Sequence, residues 1–274
     1  MSRLQKIIIL GSALFMGVSM SYAQGGTRIV MDGSTTVGPI AKAFAEYYMG
    51  KHNDVNITVS ESGSGNGAKS IINGTCDIAN MSRAMKEEEM QAAKEKGHNI
   101  VEHIVAMDGI AVVVHPDNPV QGLTKEQLVK IYTGEIRNWK ELGGPNLSIV
   151  VISRDTNSGT YESFQQLVTK SERITDSAEY VGSNGAIRQR VMTTTGAIGY
   201  VGLAFTEGVK ALAIEGVEPT PESVIDRSYC ISRPLFMYTN GEPAAGTQLA
   251  DFLNLYKTDE GRKIIEEQGF VAIK

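Results

Sequence analysis

The sequence predicts an α/β fold in which mostly parallel strands are covered by helices. Two observations carry that expectation. Short β-branched or alternating runs take turns with segments of helical period, and small polar or glycine-rich loops stand where a strand ends and a helix begins. The 274 residues suffice for one large domain or two smaller ones.

The elements follow in order. Thr27–Met31 reads as a strand. Residues 37–50 place Val37, Ile40, Ala41, Phe44, Tyr47 and Tyr48 at helical spacing. VNITVS, residues 55–60, alternates as a half-buried strand does. Ala68–Asn73 reads as a short helix and Asp77–Ala79 as a strand. KEEEMQAAKEK, residues 86–96, is a helix with a charged, solvated face. Ile100–Val105 and Ile110–His115 read as two strands. Beyond the loop Pro116–Pro119, Thr124 caps a helix that runs to Tyr132, with Glu126 in its first turn. Leu147–Ile152 is a strand, Ser163–Thr169 and Ala186–Thr194 are helical, and Ala197–Val201 is a strand. Ile231–Tyr238 is a strand interrupted by Pro234, which favours an edge or crossover position over a central one. Thr247–Tyr256 and Asp259–Gln268 are the last helices. No repeat and no low-complexity linker divides the chain.

The N-terminus carries the compartment signal. Arg3 and Lys6 precede an apolar run from Ile7 to about Met20, and Ser21-Tyr22-Ala23 forms a small-x-small cleavage site. The run is short for a membrane span of ~20 residues. An exported protein, cleaved near Ala23, is therefore expected. The net charge is −5, and residues 1–23 hold two positive and no negative charges, so it is −7 without them. Such a balance argues against nucleic acid and anionic lipid as partners, but not against one small anion. Cys76 and Cys230 could pair in an oxidising compartment or remain small buried thiols. His52, His98, His103 and His115 show no metal-ligand spacing, so no metal or other cofactor is implied.

GSGNGAKS, residues 63–70, misses the P-loop pattern because Ala68 stands where the second glycine belongs. It is one of a set. DGSTTVGP (32–39), SRDTNSGT (153–160) and GSNG (182–185) also precede helices. The first N–H groups of a helix lack internal partners, the helix dipole is positive at that end, and glycine admits a ligand close to the backbone. Ordinary capping explains any one such loop; several of them, one containing Arg154, point to convergence on a single anion. Arg154 offers a planar fork for two oxygens, and Asp155 beside it could orient or balance it. Arg83 is either a second cation or a surface ion pair. No nucleophile elbow and no histidine paired with a serine is evident, so no catalytic residue is assigned.

The segments GSTTVGP, SGSGNGAKS, DIANMSR, NPVQGLTKEQLVKIYTGEIRNWKELGG, SRDTNSGTYESF and TTTGAIGYVG, in this order, resemble the phosphate-binding proteins of bacterial Pst ABC transporters. The resemblance covers nearly all of the chain beyond the export segment. It implies a two-lobed periplasmic binding protein fold with the ligand cleft between lobes, lobe I formed by 27–106 plus 231–274 and lobe II by 107–230. It implies a monomer that binds inorganic phosphate in the periplasm and delivers it to a membrane permease. Carried over motif by motif, the contacts are Thr35, Thr36 and Ser64 from one lobe, with Ser34 beside them, and Arg154, Ser158, Gly159 and Thr160 from the other. Well-studied members carry an aspartate where this chain has Ser82. That loss puts discrimination against sulfate in question unless Asp32, Asp108 or Asp155 takes over, and it leaves sulfate or molybdate as alternative ligands. An exported phosphatase, or a sensor or adhesion role at the cell surface, is the alternative of another class.

Overall fold

The computed structural model describes residues 26–273. The export segment expected at residues 1–23 lies outside them. In chain order the elements are β1 (Thr27–Gly33), α1 (Gly38–Lys51), β2 (Val55–Ser60), α2 (Ser64–Ile72), β3 (Ile78–Met81), α3 (Glu87–Glu95), β4 (Ile100–Val114), β5 (Gly122–Leu123), α4 (Lys125–Thr133), β6 (Val150–Arg154) and α5 (Gly159–Phe164). They continue with β7 (Glu179–Val181), α6 (Asn184–Met192), β8 (Ala197–Gly202), β9 (Lys210–Ala211), β10 (Ala213–Ile214), α7 (Pro221–Ile225), β11 (Ser232–Asn240), α8 (Gln248–Leu253), α9 (Asp259–Glu267) and β12 (Val271–Ala272).

The main sheet has the order β2-β1-β3-β11-β4-β8-β6-β7. β1 runs parallel to β2 and β3, and β6 runs parallel to β8 and β7. Between these parallel groups lie β11 and β4, antiparallel to each other and to their outer neighbours β3 and β8. One set of core residues, including Ile29, Phe44, Val105, Leu235, Phe252 and Ile265, comes from both ends of the chain. Another, including Val112, Leu128, Trp139, Phe164, Tyr200 and Tyr229, comes from the middle. The chain thus builds most of one lobe, crosses on β4, builds the second lobe and returns on β11.

Four of the elements read from the sequence take a different form, and β5, β7, β9, β10, α7 and β12 were not read there. β4 is one strand of 15 residues rather than two, because Met107-Asp108-Gly109 stays extended and pairs with Pro234, Arg233 and Ser232 of β11. β11 crosses between the lobes as expected but is not an edge strand. It lies inside the sheet, and its register shifts between Leu235 and Phe236, next to the proline that cannot donate to the ladder. α2 starts at Ser64 and not near Ala68, so the glycines read as a loop form its first turns. Helical glycine is unfavourable by itself. Here a Cβ on Gly67 would lie 2.8 Å from the Gly33 Cα, so a larger residue would push the helix off β1. α5 likewise starts at Gly159, four residues before the expected Ser163, and runs on into a π-helical turn at Gln165–Thr169.

Cys76 and Cys230 are free thiols, one in each half of the fold. Thr124 caps α4 as expected, accepting from the Gln127 N–H while the Gln127 side chain accepts from the Thr124 N–H.

Candidate functional site

The loops singled out in the sequence meet where the two lobes face each other. β1 ends and α1 begins around Ser34-Thr35-Thr36; α2 begins at Ser64; β6 ends at Arg154 and α5 begins at Gly159; α6 begins at Asn184. Thr36 Oγ1 lies 3.0 Å from Thr160 Oγ1 across the lobe boundary. Ser64 Oγ lies 3.3 Å from Ser82 Oγ and accepts the Ser82 N–H at 3.0 Å. A Cβ on Gly159 would lie 2.5 Å from Ser64 Oγ and 2.8 Å from Ser82 Oγ, so only glycine lets the start of α5 come this close. Nearby, the Gly65 N–H donates to the Asn157 carbonyl at 2.9 Å.

Several of these hydroxyls accept a hydrogen bond from the fold. Ser34 Oγ accepts the N–H groups of Thr36 and Val37, and Ser158 Oγ caps α5 through the Tyr161 N–H. Thr35 Oγ1 accepts from Asn184 Nδ2 at 3.1 Å. A hydroxyl that accepts keeps its own proton to donate. The expected residues Ser34, Thr35, Thr36, Ser64, Ser82, Ser158 and Thr160 are all buried, as is Gly159.

Arg154 is 1% exposed. Its Nε donates to the Val181 carbonyl and its Nη2 to the Gly182 carbonyl, whereas Nη1 has no partner among the described residues. Burial pulls its pKa down to about 10. Asp155, expected to orient or balance it, accepts the Asn157 N–H and acts on Arg154 through its charge, which favours the protonated guanidinium. Asp32 accepts from Ser62 and Ser70. Of the three carboxylates that could replace the missing aspartate, Asp108 is linked to the Thr160 hydroxyl through Arg233. It is fully buried and paired with Arg233 Nη2 at 3.0 Å.

Arg233, Asn184 and the Asp108 pairing escaped the sequence reading. Arg233 Nη2 donates to Thr160 Oγ1 at 3.0 Å and approaches Thr36 Oγ1 at 3.4 Å, while Nη1 donates to the Ser82 carbonyl at 2.9 Å. Asn184 Nδ2 donates to Thr36 Oγ1 at 2.9 Å, and its Oδ1 accepts the Gly202 N–H. For the ion pair, a lone charge in each of two apolar runs, IVAMDGIAVVV and ISRPLFMY, was the available signal.

Arg83 is neither a free second cation nor a surface pair. It is 8% exposed and bridges the lobes, donating to both Glu89 oxygens at 2.7 Å and lying 3.0 Å from Glu162 on α5. Lys86 joins Glu162 at 2.9 Å. Lys69 is exposed on α2, away from the role a P-loop lysine has.

Two α/β lobes whose hydroxyl-bearing loops and helix starts face each other have the architecture of a solute-binding protein. A family model described as a PBP superfamily domain matches residues 20–260. A phosphate-binding protein PstS of Staphylococcus saprophyticus is 34% identical over 282 residues, spanning 96% of this chain and 88% of its own. Another, from Borreliella burgdorferi, is 33% identical and spans 99% of this chain and all of its own. The solved structure, with bound phosphate, of a protein assigned as a phosphate ABC transporter substrate-binding protein of Clostridium perfringens matches with a TM-score of 0.85 at 37% identity. That match covers 90% of this chain and 100% of the other. The chain belongs to the PstS family of phosphate-binding proteins.

Proposed function

We propose that this protein captures inorganic phosphate and delivers it to the permease of an ABC transporter, with no chemistry on the ligand. The observation that carries the reading is Arg154, a buried guanidinium with one nitrogen lacking a partner among the described residues, at the end of the strand that leads into the Ser158–Thr160 loop. A buried unpaired charge is costly, and an oxyanion is the partner whose oxygens match the fork. Arg154 Nη1 takes one face of the anion. Ser64, Ser158 and one member of the Thr36–Thr160 pair donate their protons to it, and the first N–H groups of α5, at Gly159 and Thr160, have no carbonyl behind them in the helix. Thr35, Ser34 and Ser82 complete the wall.

The two lobes in this reading are 27–106 with 231–274, and 107–230. The chain acts outside the cytoplasm as a monomer, residues 1–23 being the export signal. The names of its relatives support phosphate as ligand and an ABC transporter as destination.

Calorimetric titration of the ligand-stripped protein tests this. Phosphate is expected to bind; failure to bind either phosphate or sulfate overturns the reading. Comparable binding of sulfate widens it to tetrahedral oxyanions. Hydrolysis of a phosphate ester, with or without divalent metal, would transfer the protein to the enzyme class.

A further inference from the structure

The crossover between the lobes carries a buried ion pair. Asp108 of β4 and Arg233 of β11 stand opposite each other in the ladder, 0% and 4% exposed. Apolar residues of similar volume often replace such a pair without loss of stability, so the contacts it makes beyond itself are what distinguish it.

The guanidinium directs its hydrogens three ways. Nε and Nη2 donate to Asp108 Oδ2, at 3.2 and 3.0 Å. Nη1 donates at 2.9 Å to the carbonyl of Ser82, just past the end of β3. The other Nη2 hydrogen goes to Thr160 Oγ1 at 3.0 Å, in the first turn of α5. The planar fork fixes these directions relative to one another. Asp108 is held in turn by the Leu203 N–H on its second oxygen, at 3.0 Å. One turn along α5 from Thr160, Ser163 Oγ donates to the same Ser82 carbonyl at 3.1 Å. The end of β3 and the start of α5 are thus joined through a side chain that belongs to neither, but to the strand on which the lobes turn.

We propose that Arg233 is a positioning residue that ties Thr160 to the Ser82 carbonyl when the lobes are closed, and so sets how long the ligand stays rather than how fast it enters. The inference rests on the phosphate reading above. Binding proteins of this fold close around their ligand by bending at the connections between lobes. As the lobes part, Thr160 leaves Arg233, whereas Arg233 keeps Asp108 and Ser82, which lie on its own side. A contact made only on closure follows the encounter and cannot speed it; it slows reopening.

The test uses the full mature chain, Arg233→Lys, Thr160→Val and the double variant. Lysine keeps a cation against Asp108 but lacks the fork. Equilibrium dialysis with radiolabelled inorganic phosphate gives the affinity, a rapid-mixing chase with unlabelled phosphate gives the dissociation rate, and the two together give the association rate. Arg233→Lys is expected to release phosphate about fivefold faster or more, with association changed by less than about twofold. Because either single change breaks the same tie, the double variant is expected to release phosphate at nearly the rate of the faster single variant. An unchanged dissociation rate in Arg233→Lys, a loss of affinity carried by association, or a double variant whose rate multiplies the two single effects overturns the inference, since a merely loosened fold adds to the loss of Thr160. The charge-balanced pair Asp108→Asn/Arg233→Gln takes the place of Arg233→Lys in the same comparison if the lysine variant does not fold. Absence of phosphate binding by the unaltered protein is the separate result that removes the phosphate reading itself.

Discussion

Arg154 and Arg233 are both buried, close enough for the charge of one to act on the other, yet the fold treats them differently. Arg233 has a carboxylate of its own, Asp108, and spends its remaining hydrogens on Thr36, Thr160 and the Ser82 carbonyl. Arg154 is held by two main-chain carbonyls, which orient the guanidinium but do not cancel its charge, and Nη1 is left over. A cation neutralised inside the fold serves stability and geometry. One left uncancelled is an unfavourable term that an arriving anion removes, so part of the protein's own strain becomes binding energy.

If that contrast holds, removing the counter-ion of Arg233 should be the most damaging change. Asp108→Ala leaves a buried guanidinium uncompensated and is expected to lower stability by ~3–5 kcal/mol, read from urea denaturation without ligand. Arg154→Ala is expected to reduce phosphate affinity by ~2–4 kcal/mol in calorimetry while leaving ligand-free stability unchanged or raised. Equal destabilisation by both substitutions would break the comparison.

The pH dependence of Arg154 sharpens it. Its pKa in the folded, ligand-free chain is about 10, below the ordinary 12.5. The folded chain therefore releases this proton first, so the stability contribution of the group rises as pH passes about 10. Anion binding needs the charged form and runs the other way. Phosphate affinity should fall above about pH 10, measured by titration at fixed ionic strength.

Smaller effects follow away from the two arginines. Ser64→Ala removes one donor to a charged ligand and should cost ~1–3 kcal/mol of binding. Glu162→Gln weakens the bridge between lobes but leaves Arg83 paired with Glu89, so about 1 kcal/mol or less is expected, with dissociation in stopped flow faster than in the unaltered chain.

The loops of the candidate site were legible because they sit where strands end and helices begin, where small polar residues and glycine stand out. Arg154 could be singled out for that reason, whereas Ser64, Ser158 and Thr160 were assigned through the family resemblance. Arg233 and Asn184 could not be singled out, because their partners lie 73 and 148 residues away in the chain and nothing in local periodicity reports such pairings. The continuity of β4 was hidden by Asp108-Gly109, residues that ordinarily end strands; the ladder with β11 holds them extended. The true start of α2 was masked by glycines whose place in a helix makes sense only against β1. Arg83 was read from its neighbours in sequence, whereas Glu162, which makes it a bridge between lobes, belongs to the other half of the fold.

Gly159 gives the protein a natural wedge point. A methyl group there would stand 2.5 Å from Ser64 Oγ and 2.9 Å from its Cβ, closer than non-bonded atoms tolerate. The site would have to stay ajar by about the thickness of that methyl, separating Thr36 from Thr160 and the Gly65 N–H from Asn157 together. Gly159→Ala thus provides a receptor with every polar group retained but its jaws propped apart. It separates the value of the individual contacts from the value of making them all at once.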